Sequence, residues 1–215
     1  MIVIESKIQS LEGLRMRYPN AIIADVTSEA KNALARLSPS FPHGEIPIPN
    51  SGWATAYSVE AIWQGLKVFE SCDVDVEMFK NDTMKNIKRT VRRFGKPLGH
   101  RKGVHGTELL GYIEARKLIY IPTYKWVLEN KVAFIIDRLR EASKTKTIVL
   151  LDYDTNADVE NARKPLSHAS LIKAYVEGIY PYGEEIVKDK KPVGKSKRKK
   201  NKKEDNNLQL DLFKE

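Results

Sequence analysis

The sequence predicts an α+β fold, one predominantly helical domain with a small sheet, followed by a cationic tail. Three observations carry that prediction. Apolar residues return at the 3.6-residue helical period through several segments, short strand-forming runs stand at 2–4, 21–26 and 147–152, and beyond Lys188 apolar residues become sparse. With 215 residues, 41% hydrophobic and 30% charged, the chain is long enough for one ordinary core. Cys72 is the single cysteine, which excludes an intramolecular disulfide and a multi-cysteine zinc site and fits a reducing compartment. No run approaches the roughly 18 uninterrupted apolar residues of a membrane span, and no basic leader precedes a long apolar stretch. A cytoplasmic protein without a membrane partner is expected.

In chain order, residues 2–4 and 21–26 read as strands flanking a helix over 10–17 that Tyr18-Pro19-Asn20 ends. Pro39, Pro42, Gly44, Pro47, Pro49 and Gly52 make 37–53 an ordered loop, wrapping something or serving as a lid. Ser58 caps a helix through Phe69, and further helices are expected over 84–94, 107–118 and 122–142, the last with Pro122 in or near its first turn. Residues 147–152 form the clearest strand. After a loop at 161–164, a final helix over 167–177 is stopped by Gly178. The domain is placed at 1–187, with a linker over 188–207 and a terminal peptide over 208–215.

Charge is unevenly distributed. Lys and Arg number 37 against 28 Asp and Glu, a net +9. Lys188 to Glu215 hold 11 basic and 5 acidic residues, net +6, which leaves +3 for residues 1–187. The linker reads either as a flexible Lys-rich tether that attracts phosphate without reading sequence, or as a solubilising tail. In the helix expected over 84–94, Met84, Ile87, Val91 and Phe94 make the buried side, while Lys85, Lys88, Arg89, Arg92 and Arg93 make a cationic opposite side. Five like charges on one short helix repel unless an anion screens them; nucleic acid is the leading candidate for that anion, with a merely solvated face as the alternative. Lys96, Arg101 and Lys102, in or beside the glycine-flanked segment 99–106, suit phosphate contact. His100 and His105 there lack a third ligand at defined spacing, so neither a metal nor another cofactor is expected. His168 reads as a cap-region or core histidine more readily than as a base; Asp154, Asn156 and Asp158 just upstream leave a functional role open, although three polar residues after a strand are ordinary loop.

The helix from Ser58 carries Glu60, Gln64 and Lys67 at i, i+4 and i+7, a carboxylate, an amide and an amine along one stripe. Spacing alone allows a solvated ladder. The pattern Val-Glu-x-x-x-Gln-Gly-Leu-Lys-x-Phe, however, resembles the core signature of the NADAR family. The resemblance extends over about residues 38–176: Ser38-Pro39 to Pro49 lies where that family has its Ser-Asn-Phe loop, Arg92-Arg-Phe-Gly-Lys96 resembles its Lys-x-Leu-Gly-Arg stretch, Trp126 to Ile135 its central Trp and long helix, and Leu150-Leu-Asp152 its Leu-Val-Glu. The sequence departs from the family at Ala61, where a His is usual, at Asp152 in place of Glu, and in lacking the Trp-Gly segment before the last helix. The resemblance implies a NADAR-like fold and N-glycosidase chemistry, hydrolysis of a bond between a ribose-type carbon and a base nitrogen, including ADP-ribose attached to guanine. Glu60 would stabilise developing positive charge on the sugar or activate water, with Asp152 orienting it. Lys67 would alternatively attack the anomeric carbon and form a transient imine. Gln64 would orient substrate, and Trp53, Tyr57 and Trp63 would supply stacking surfaces for an extruded base.

At the other end of the chain, Gln209-Leu210-Asp211-Leu212-Phe213 resembles the bacterial sliding-clamp-binding peptide, in which two apolar anchors enter a pocket on the clamp's beta subunit; a terminal strand or helix docking back on the body is the alternative. Together these features lead to the expectation of a nucleoid-associated, DNA-directed N-glycosidase tethered to the replication clamp. A non-enzymatic clamp- and DNA-binding factor and a small-molecule N-glycosidase stand as alternatives.

Overall fold

The computed structural model describes residues 1–182, so the linker and the clamp-like peptide lie outside the described residues. The strands are β1 (Ile2–Ser6), β2 (Ile22–Asp25), β3 (Ile46–Pro47), β4 (Thr55–Ala56), β5 (Lys67–Phe69), β6 (Pro97–Arg101), β7 (Leu109–Leu110) and β8 (Ile148–Asp152). The helices are α1 (Leu11–Arg17), α2 (Val59–Gly65), α3 (Val91–Phe94), α4 (Tyr112–Ala115), α5 (Ile121–Asn130), α6 (Ala133–Ser143) and α7 (His168–Val176). The α+β class predicted from sequence is observed.

A three-stranded parallel sheet ordered β1-β8-β2 forms the centre. All five residues of β8 are buried, as expected of a parallel strand covered on both faces. Alternation sorts them. Val149 and Leu151 join Leu14 of α1 on one face, and Ile148 and Leu150 enter the main core with residues of α5, α6 and α7 on the other. Helix α1 begins where Ser10 Oγ accepts a hydrogen bond from the Gly13 N–H at 3.1 Å. A second sheet, β5-β6-β7, is antiparallel, and β3 pairs with β4 in a hairpin that grips the otherwise irregular Pro-rich loop.

Four expected helices change. The helix from Ser58 ends at Gly65, and Lys67–Phe69 continue as β5 paired with β6. Arg89 ties the turn together, its guanidinium donating to the carbonyls of Gln64 in the last turn of α2 (3.1 Å) and Lys67 at the start of β5 (2.5 Å). The helix expected over 84–94 is reduced to α3. Met84 and Asn86 adopt left-handed φ angles of 59° and 53°, which a helix does not allow, and of the expected buried side only Ile87 is fully buried. The helices expected over 107–118 and 122–142 are redivided. One helical run extends from Tyr112 to Asn130 through a π-helical turn over Arg116–Tyr120, and the break falls at Lys131–Val132. Pro122 lies in the first turn of α5, directly after the π turn, where its missing N–H is tolerated.

Candidate active site

A cleft of about 920 Å³ opens at the carboxyl ends of β2 and β8, the place where parallel strands commonly present ligand sites. Its walls come from α2, the start of α7, the π turn and the irregular strap 84–91. Glu60, Trp63, Gln64, Lys67, Lys88 and Asp152 all line it, so the polar stripe read from sequence and the strand-end carboxylate meet in one space.

Gln64 is fixed in orientation. Its Oε1 accepts the Arg89 backbone N–H at 3.1 Å and Lys67 Nζ at 3.3 Å, and since those groups can only donate, its amide nitrogen must face Glu60, to whose Oε1 it donates at 2.8 Å. The other oxygen of Glu60 has no hydrogen-bond partner among the described residues and is available to a ligand. Glu60 is itself held by its backbone N–H, which donates to Pro39 O at 2.9 Å. Burial pushes the Lys67 ammonium pKa down; Glu60 opposes this, while Arg89 and Lys88 add to it. Trp63 is buried and stacks on His100 with ring centroids 3.9 Å apart, and Lys67 Nζ lies 5.9 Å from its ring. Burial first, and Lys67 second, push His100 down to about 3, so it is a neutral packing ring.

Asp152 is saturated. Its Oδ2 accepts from Ser167 Oγ (2.7 Å), His168 Nδ1 (3.0 Å) and the Ala169 N–H (3.3 Å), while Oδ1 accepts from the Tyr153 N–H (2.7 Å). Burial raises its pKa, but these donors, His168 foremost, outweigh burial and leave the pKa lowered. His168 Nε2 reaches Val26 O at 2.8 Å. Asp152 therefore ties β8 to the start of α7 and orders the cleft floor, a positioning role.

Other expected site residues are dispersed. Trp53 and Tyr57 lie at the β3–β4 hairpin and are not among the residues that line the cleft. Arg89 is 5% exposed, with its guanidinium held by the carbonyls of Gln64, Lys67 and Asp73 and by Cys72 Sγ, and packed against the touching rings of Phe69 and Phe94. It has no free face for DNA, which corrects that expectation. Arg101 pairs with Asp73 (3.0 and 2.7 Å) and Lys102 with Glu108 (2.8 Å). Lys85, Lys88, Arg92, Arg93 and Lys96 are exposed, with Lys88 at the cleft itself. Among the described residues no group of three or more His, Cys, Asp or Glu could hold a metal ion.

Sequence reasoning missed Tyr112, Arg116 and Tyr120, and set Asp154 aside as a polar loop residue after a strand; all four line the cleft. Arg116, 2% exposed, donates to Val159 O, Asn161 O, Lys164 O and Tyr112 Oη, holding the loop before α7 against the π turn. Burial, with Glu60 and then Asp152 nearby, pushes the Tyr120 phenol well up, so it remains protonated. A π turn gave no warning in the residue pattern, although such turns recur at functional sites.

The model of a family of unknown function, DUF6939, matches residues 6–172. The chain belongs to this family. The DUF6939 match runs from the end of β1 into α7 and takes in every cleft-lining residue, from Thr27 to His168. No curated protein and no solved structure matches this DUF6939 chain.

Proposed function

We propose that the cleft hydrolyses an N-glycosidic bond between base and sugar in DNA, releasing a modified or ADP-ribosylated base. The observation that carries this reading is the convergence of Glu60, immobilised Gln64 and Lys67 in one cleft, with a Glu60 oxygen left free for a reacting centre. Breaking such a bond places positive charge on the sugar, which a fixed carboxylate stabilises while it takes a proton from the attacking water. The resemblance of the α2 segment to NADAR proteins supports the same chemistry. Trp63 and Tyr112, 5.8 Å apart and edge to face, offer a base an aromatic corner within the cleft. The lowered Lys67 pKa favours a second route, attack of its amine on the anomeric carbon.

Exposed Lys85, Lys88, Arg92, Arg93 and Lys96 on or beside the strap support DNA as the carrier of the base. The peptide around Gln209–Phe213 supports tethering to the sliding clamp through its resemblance to clamp ligands. Two experiments test the reading. Incubating the full chain with a panel of modified and ADP-ribosylated DNAs should release free base or ADP-ribose; no release from any of them would refute it. A peptide spanning 206–215 should bind purified bacterial clamp saturably, and Leu212→Ala with Phe213→Ala should abolish that binding; a peptide that fails to saturate at high micromolar clamp would remove the tether alone.

A further inference from the structure

The reaction proposed above needs two proton-handling groups, and Asp152, with four donors on its two oxygens, cannot be one of them without dismantling the start of α7. Two residues further on, Asp154 lines the same cleft, is half-buried, and has no hydrogen-bond partner among the described residues. We propose that Asp154 is the general acid of the cleft, protonating the departing base nitrogen as its bond to the sugar breaks; this rests on the glycosidic reading.

The groups that face Asp154 are Asp152 at the end of β8, Lys88 on the strap, Lys164 in the loop before α7 and His168 at the start of α7. Burial raises the Asp154 pKa and the Asp152 charge raises it further, against smaller opposing effects of Lys88, Lys164 and His168. A carboxyl that keeps its proton to higher pH is suited to donate it, whereas Glu60, with one oxygen free, is suited to accept one. In the step itself, the carbon–nitrogen bond breaks with its electron pair going to the base nitrogen, which takes the Asp154 proton. Water adds to the sugar carbon and passes its proton to Glu60, and exchange with solvent restores both carboxyls. The products are a neutral base and a sugar hemiacetal.

Leaving-group dependence distinguishes an acid from a structural residue. Hypoxanthine must be protonated to leave as a neutral base; N7-methylguanine carries its positive charge beforehand and needs no proton. With oligonucleotides carrying each base, Asp154→Asn should slow hypoxanthine release by about 10²- to 10⁴-fold and N7-methylguanine release by less than about tenfold. Equal losses on both substrates, or none on either, would overturn the acid role while leaving the glycosidic reading standing. A wild-type chain that releases neither of these bases, nor any base or ADP-ribose from the wider panel, would count against both. Independently of any substrate, the ¹³C carboxyl resonance of Asp154 in the full chain should titrate above the ordinary aspartate value of about 3.9. An ordinary midpoint overturns the proposal.

Discussion

Arg89 and Asp152 are the residues whose charge is absorbed by the fold, and their behaviour separates structural from reactive groups in the cleft. Replacing Arg89 with Ala removes the donor to three carbonyls around the end of α2 and leaves a void beside the Phe69–Phe94 pair. A loss of about 3 kcal/mol or more in denaturant unfolding is expected, against less than about 0.5 for exposed Arg92→Ala. Equal, small effects at both sites would contradict the buried placement. Because the folded pKa of Asp152 lies below its unfolded value, its contribution is present above the unfolded pKa and is lost as pH falls through the folded one. The stability gap between wild type and Asp152→Asn should thus be full at pH 6 and shrink below about pH 4. Asp154 has the opposite sign: its raised pKa means that its ionised form opposes folding, so Asp154→Asn should stabilise the chain at neutral pH and lose that advantage in acid. Of these residues, the sequence made Asp152 visible by placing it at the end of an unmistakable strand. Arg89 was misread because its partners are set by backbone carbonyls some 16 to 25 residues away, which no local period records.

At the scale of elements, local signals were faithful wherever a cap or a strand run decided the outcome. Ser58 caps α2 as its sequence context predicts, and Ser10 and Ser167, expected as the first residues of their helices, cap α1 and α7. Glu60 and Gln64 share a helix face for the same local reason, whereas Lys67 reaches Gln64 from the strand that follows the helix. Boundaries failed where tertiary packing overrode period: at Gly65, packed so closely that an added methyl group would meet the Phe79 ring at 2.2 Å, and along the strap, where apolar spacing imitated a helix. The strap's surviving exposed cations carry their own prediction. Replacing Lys85, Lys88 and Arg93 together with Ala should weaken DNA binding across sequences and flatten the salt dependence by up to about 0.9 for each DNA phosphate that is no longer neutralised. An unchanged slope would return the strap to a solvated edge.

The whole molecule places a parallel sheet beneath the cleft, so that the ends of β2 and β8 and the start of α7 present one polar floor to α2 and the π turn. The sequence carried the fold class and the Glu60 stripe, but not the cleft's far wall, because Tyr112, Arg116 and Asp154 come together through the packing of distant segments. The central claim is that Glu60 works on a base–sugar bond in that cleft, and the direct measurement is single-turnover release of base from modified DNA by wild type and Glu60→Gln, with folding and DNA affinity checked in parallel. Wild type should release the base, and Glu60→Gln should bind the same DNA with unchanged affinity while releasing base at least about a hundredfold more slowly. A correctly folded Glu60→Gln variant with full activity would contradict the account.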